Sequence, residues 1–250
     1  MRAFHWLAIV ALLLAACGTD QDQDAEVAAP ELDLEEGEET DEVQEDPPDL
    51  SEAAAHDDLA DHPLAAEPYV FEPVRHSGAG EKTIEATAPE GVPSVVEITY
   101  DGSDASSPSI NVNVEWGEVG GSGFSTDTPA FTSRRLVEGD RPLRHVAIDA
   151  DGEWEMALLP LIEVPAIVPG QEYAGDRDDI VLVTPVSDEP RQARLTHERS
   201  FSFTLTAWGP DGPDEVLDDR GSLDEIIELP PGTQYVQVDT YEPWTLELLD

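Results

Sequence analysis

The chain has 250 residues, enough for one or two domains, and sets 12 Lys+Arg against 56 Asp+Glu for a formal net charge of -44. That balance excludes nucleic acid as a partner, because phosphate recognition needs clustered cations. It also argues against electrostatic docking on anionic lipid headgroups.

The first element is an apolar N-terminal run. Arg2 supplies a positive start, and Ala3 to Leu14, interrupted only by His5, is too short to span a bilayer comfortably. Ala15 and Ala16 are the small residues a signal peptidase needs, and the only cysteine of the chain, Cys17, follows them directly. The order Leu14-Ala15-Ala16-Cys17 resembles the lipobox of bacterial lipoproteins. The resemblance implies cleavage before Cys17, diacylation of its sulfur and a membrane partnership through that lipid. Two or more acyl chains hold a protein stably where one does not. With its thiol acylated, the exported chain has no disulfide and folds on core burial alone.

Residues 18–68 carry twenty Asp or Glu and no Lys or Arg. Runs such as Leu34-Glu35-Glu36-Gly37-Glu38-Glu39 combine low hydrophobicity with like charge, which predicts a disordered acidic tether. From Tyr69 onward the composition changes. Four of the five tryptophans and every tyrosine lie there, with 36 acids against 11 basic residues, of which only Lys82 is a lysine. Such a surface suits a high-salt or GC-rich bacterial origin, or alternatively a calcium-loaded one.

Period-2 alternation predicts strands in Val95-Val96-Glu97-Ile98-Thr99-Tyr100, in Ile110 to Trp116 and in Phe201 to Trp208. Asp101-Gly102, Asp151-Gly152, Asp211-Gly212 and Pro231-Gly232 punctuate them as turns, and Val146 to Leu158 is expected to be a hairpin about Asp151-Gly152. Gly121-Ser122-Gly123 lacks the context of a nucleophile elbow and is expected to be a loop. The run Leu158 to Val168 is broken by Pro160, Glu163 and Pro165, so it is no membrane span.

Four landmarks recur in one order. Gly80 to Ile84 matches Gly175 to Ile180; Ile98-Thr99-Tyr100 matches Leu195-Thr196-His197; Trp116-Gly117 matches Trp208-Gly209; and Val146 to Leu158 matches Val236 to Leu248 without a gap. This predicts an internal duplication. The fold class expected is all-β, with two tandem antiparallel β-sandwich domains after the acidic linker. The divisions are signal and anchor over 1–17, tether over 18–68, first repeat over 69–163, Pro-rich connector over 164–171 and second repeat over 172–250. The glycine-led strand, the Thr-His/Tyr strand end and the closing Pro-Trp-Thr-Leu strand resemble repeats of secreted actinobacterial proteins of unassigned function. That resemblance implies a sandwich module and carries no activity.

Few residues suggest chemistry. No His-x-x-x-His set exists, and His197 replaces Tyr100 of the other repeat, an exchange that indicates packing. Asp149, Asp151 and Glu153 bring hard oxygens together at the expected hairpin and form a candidate calcium site; no other cofactor is implied. Asp176-Arg177-Asp178-Asp179 and Asp101-Gly102-Ser103-Asp104 are similar clusters, expected to be solvated turns. Trp116, Trp154, Trp208 and Trp244 are expected in cores, leaving Tyr235 and Tyr241 as exposed aromatics for a ligand. The function expected is non-enzymatic display or binding at the cell envelope, of a protein or a glycan. The alternatives are an envelope hydrolase built from loop carboxylates around His145 or His197, and an accessory subunit of an envelope complex.

Overall fold

The computed structural model describes residues 59–116, 121–141, 143–197 and 202–249. The expected signal segment, Cys17 as the expected lipid attachment site and the acidic stretch through residue 58 lie outside the described residues. The chain divides into residues 1–47 and residues 48–250, and all the described residues belong to the latter.

The described fold is all-β, with four largely antiparallel sheets and, among the described residues, helix only as short 3-10 turns such as Pro63–Ala65 and Leu161–Glu163. The strands in order are β1 (Val74–Ala79), β2 (Lys82–Glu85), β3 (Ser94–Asp101), β4 (Ile110–Trp116), β5 (Gly121–Thr126), β6 (Ala130–Val137), β7 (Leu143–Ala150) and β8 (Glu153–Pro160). Then follow β9 (Ala166–Ile167), β10 (Glu172–Gly175), β11 (Asp179–Val183), β12 (Arg191–His197), β13 (Ser202–Gly209), β14 (Gly212–Arg220), β15 (Leu223–Leu229), β16 (Tyr235–Asp239) and β17 (Trp244–Leu248).

The first two sheets run β1-β8-β3-β6 and β2-β7-β4-β5; the other two run β10-β17-β12-β15 and β14-β13-β16-β11-β9. Replacing strands 1 to 8 by 10 to 17 converts the first pair of orders into the second, with β9 added at one edge. Alternation explains each core. Ile98, Tyr100, Val112, Val114, Val146, Ile148, Trp154 and Met156 interdigitate between the first two sheets. Val181, Leu195, Phe203, Leu205, Val236, Val238, Trp244 and Leu246 do so between the second two.

Register refines the landmark matches. Gly78 lies opposite Trp154 and Gly175 opposite Trp244. Gly78, not Gly80, is therefore the counterpart of Gly175. Both glycines are required by close approach: a Cβ would stand 2.7 Å from the Trp154 ring or 2.5 Å from the Trp244 ring. Each indole then donates to the carbonyl two residues past its glycine, Trp154 to Gly80 at 3.2 Å and Trp244 to Arg177 at 2.9 Å. Tyr100 and His197 occupy the same place beside those tryptophans. Trp208, however, pairs with Tyr235 as Glu115 pairs with His145, one position before Trp116. The bulge between Glu115 and Trp116 conceals that offset in the sequence.

Three local expectations are corrected. Val146 to Leu158 is not a hairpin, because β7 and β8 belong to different sheets and Asp151-Gly152 arches between them. Gly121-Ser122-Gly123 is not a loop but the start of β5, paired with β4. Residues 59–68 do not behave as solvated tether: Leu59, His62 and Leu64 are buried. Their apolar side chains find a surface between the two sheet pairs. True hairpins do form within a sheet, as where β13 turns into β14 through Pro210-Asp211, with Gly212 at φ 102.

A third apolar cluster joins the pairs. Val95, Leu136, Leu159, Leu161 and Val164 meet Ile180, Leu182 and Tyr235, with Leu59 and Leu64 added from the approach segment. This explains why alternation fails in places. Val95 and Val96 are both buried, as are Leu158 and Leu159 and every residue of β11, because both faces of those strands are covered. The proline-flanked connector forms β9 parallel to β11, and Leu182 and Thr184 donate to the Pro165 and Ile167 carbonyls at 2.8 and 3.0 Å.

Candidate functional site: an acidic groove beside a buried ionic seam

The outer face of β1-β8-β3-β6 is divided along its length. At one end it presents Val95, Leu136 and Leu159 to the second sheet pair. At the other, the rows Ser77/Glu155/Thr99 and Ala79/Glu153/Asp101 stay open. These rows line a groove of about 540 Å³. It continues through Ser77, Thr99 and Glu155 toward Arg75 and Glu97, and through Asp101 and Glu153 toward the loop Gly102 to Ala105. Three carboxylates and two hydroxyls therefore face solvent from one rigid sheet. The Asp101 carboxyl is held below its ordinary value by the Ser103 hydroxyl and the Ser103 backbone N–H, which donates at 3.0 Å.

Where the groove ends, the sheet pairs are clamped by charge. Arg134 on β6 donates through Nε to Glu97 at 2.7 Å and through Nη1 to Asp179 of β11 at 3.1 Å. Tyr173 donates to the same Asp179 at 2.6 Å, and the Ile180 N–H at 2.7 Å. Arg135 pairs with Asp178, which also accepts the Thr240 N–H at 2.8 Å. Arg177 returns the contact by donating to the Thr126 and Thr128 hydroxyls and lying over the Phe131 ring at 4.6 Å. Backbone joins in, with the Arg134 N–H donating to the Asp178 carbonyl at 3.0 Å.

Burial pushes the Asp178 and Asp179 carboxyls above the ordinary value, and the facing Arg135 and Arg134 charges pull them back. Burial works against the Arg134 charge, yet Asp179 and Glu97 outweigh it and hold its basicity above that of an ordinary arginine. The cluster Asp176-Arg177-Asp178-Asp179, expected as a solvated turn, thus supplies a dry ion-pair seam with Arg177, Asp178 and Asp179 all buried. Its one sequence signal is the unbroken apolar run that follows Asp179.

The other expected site residues are dispersed. Asp149 projects from β7 and Glu153 from β8, in opposite sheets, and both are exposed. Asp151 sits in the arch between them and accepts the Ser109 hydroxyl at 2.6 Å. Among the described residues no group of three or more His, Cys, Asp or Glu is placed to hold a metal ion, and Asp149, Asp151 and Glu153 are not gathered into one such group. The reason is the arch, which sends successive carboxylates outward on two faces where a hairpin would have gathered them.

Tyr241 is 53% exposed, but Tyr235 is 6% exposed and stacks on Trp208 within the third cluster, so it is not a surface aromatic. Trp154 and Trp244 are core residues. Trp116 is partly buried against the first core. His145 meets Glu115 at 3.2 Å on β7, whereas His197 is buried with Glu242 at 3.6 Å and its Nδ1 is 3.1 Å from the Gly221 carbonyl. Neither histidine lines the groove. No helix of the described residues is long and apolar enough to cross a membrane. No protein-family model matches the chain, and no curated protein matches it either.

Proposed function

We propose that the protein is a lipid-anchored cell-envelope protein in which two tandem β-sandwich domains, related by duplication, bind or present a protein or glycan ligand without catalysing a reaction. The lipobox-like run ending at Cys17 supports the anchor, and the shared strand order supports the duplication. The observation that carries the binding role is the divided outer face of β1-β8-β3-β6. One end is sealed against the second sheet pair, and the other presents Ser77, Thr99, Asp101, Glu153 and Glu155 on a fixed sheet. Hydroxyls and carboxylates on a rigid floor suit a polyhydroxylated or cationic ligand surface, and their preorganisation lowers the entropic cost of recognition.

Two experiments test the reading. Metabolic labelling with palmitate, combined with membrane fractionation, should find the wild-type chain labelled and membrane-bound and the Cys17→Ser variant unlabelled and released; an unlabelled wild type rejects the anchor. Pull-down from envelope extract with the full chain, compared with Asp101→Lys/Glu155→Lys, should recover ligand only with the open acidic face intact. Equal recovery by both rejects the groove.

A further inference from the structure

The segment that leads into the first sheet, Leu59 to Ala66, packs Leu59 and Leu64 into the third apolar cluster and reaches the second sheet pair with a hydrogen bond from one histidine. We propose that this segment is an acid-released strap, latched by neutral His62 and set free when the imidazole gains a second proton.

The geometry admits only one form of the ring. The Leu64 N–H donates to Nδ1 at 3.2 Å, so Nδ1 carries no proton. Nε2 stands 3.3 Å from the Gln234 carbonyl, which can only accept, so Nε2 bears the proton. His62 also begins the 3-10 turn Pro63–Ala65, which closes when the Ala65 N–H donates to the His62 carbonyl at 2.9 Å. The residue is 5% exposed and lies between Leu59 and Leu64, both members of the apolar cluster that joins the sheet pairs. An imidazolium here would aim a donor at the Leu64 N–H and leave a cation in an apolar seat.

The charged and titratable groups around it do not relieve that conflict. Asp61 and Glu67 belong to its own stretch of chain and Glu163 to the packed turn Leu161–Glu163, where Glu163 faces Arg75 at 3.9 Å. On the side of β16, Tyr69 and Glu138 act on the Tyr235 hydroxyl, whose acidity burial suppresses. The ring itself bonds to backbone at both nitrogens. Burial depresses its basicity below 6.5, and the Gln234 and Val183 carbonyls oppose this only in part. A histidine whose folded value lies below its unfolded one contributes stability above the unfolded value and loses it as pH falls. The latch is therefore closed above pH 6.5 and weakens below it. Release frees eight residues, adding up to about 27 Å of extended chain, and uncovers the part of the seam that Leu59 and Leu64 cover. None of this depends on the lipid anchor.

The test is hydrogen exchange of the full chain at pH 7.5 and 5.0, corrected for intrinsic exchange chemistry, with His62 titrated in parallel by NMR. Protection of the Leu64 and Ala65 amides should fall at least tenfold at the lower pH while Val96 and Val236 keep theirs. The midpoint of opening should coincide with the His62 titration, below 6.5. His62→Asn, a non-titrating residue that still accepts the Leu64 N–H, should give a strap equally protected at both pH values. Wild-type protection that does not change with pH overturns the proposal. So does an opening midpoint that departs from the His62 titration, and so does equal acid loss in the Asn variant.

Discussion

Replacing Arg134 by Met is the sharpest test of the ionic seam. The Arg134 and Asp179 side chains are 16% and 8% exposed, so the pair is largely withdrawn from solvent. Removing one member of such a pair strands the other, at about 3–5 kcal/mol. Asp179 keeps the Tyr173 hydroxyl and the Ile180 N–H, which places the expected loss near the lower end, about 3 kcal/mol. For a domain of this size that is a fall in melting temperature of about 6–12 °C at pH 7.5. The sign of the pH dependence follows from the carboxyl. Burial already raises Asp179 above 3.8, and Arg134 is what pulls it back, so Arg134→Met raises it further. A carboxyl whose folded value exceeds its unfolded one favours folding below the unfolded value, and that contribution is lost as pH rises through the folded value. The deficit of Arg134→Met relative to wild type should accordingly shrink as pH is lowered toward 5. Calorimetry of the full chain at pH 7.5 and 5.0 measures both. Adding Asp179→Asn to the variant should recover part of the loss at pH 7.5, because the more deeply buried of the two carboxylates facing Arg134 is then uncharged, with only Glu97 left without its arginine. The reasoning fails if Arg134→Met melts within 2 °C of wild type, or if its deficit is the same at both pH values. Arg194→Met, which breaks the exposed pair with Asp224, should leave the midpoint in place.

Three further outcomes follow from packing. Gly175→Ala and Gly78→Ala each press a methyl group on a buried indole and should each cost about 1–3 kcal/mol in urea unfolding; Trp244→Leu should rescue the first and not the second. Tyr235→Ala empties a seat against Trp208 and should cost about 3–5 kcal/mol, whereas Tyr241→Ala should change stability by less than about 0.5 kcal/mol. Trp244→Phe keeps most of the ring but removes the donor to the Arg177 carbonyl, and should cost about 1 kcal/mol beyond the lost area because that carbonyl is left without it.

Strands were readable from the sequence where one face is wet. Ile110 to Trp116 and Ser202 to Trp208 show their alternation plainly, because inner and outer side chains differ in polarity. Sheet membership was not readable. An Asp-Gly between alternating segments suits a hairpin or an arch equally, and only the long-range pairing of β7 with β4 and β8 with β3 separates them. The seam was hidden for a related reason. Arg134 and Asp179 are 45 positions apart, and an acidic cluster in so acidic a chain has no distinguishing composition. What did stand in plain view was the broken alternation at Val95-Val96, Leu158-Leu159 and Ile180 to Val183, which marks strands covered on both sides. His62 looked like one more residue of a polar stretch, and only the Leu59 and Leu64 flanking it hinted at a seat.

The shared interface also bears on how such a chain can be taken apart. Severed near Pro165, the amino-terminal half would carry Val95, Leu136 and Leu159 bare, and the carboxyl-terminal half Ile180, Leu182 and Tyr235, each fragment with a sticky flank and stranded ions. Either half expressed alone is therefore expected to aggregate or fail to fold. However alike the two sheet pairs are in strand order, the apolar cluster and the ion pairs between them hold them together as one body.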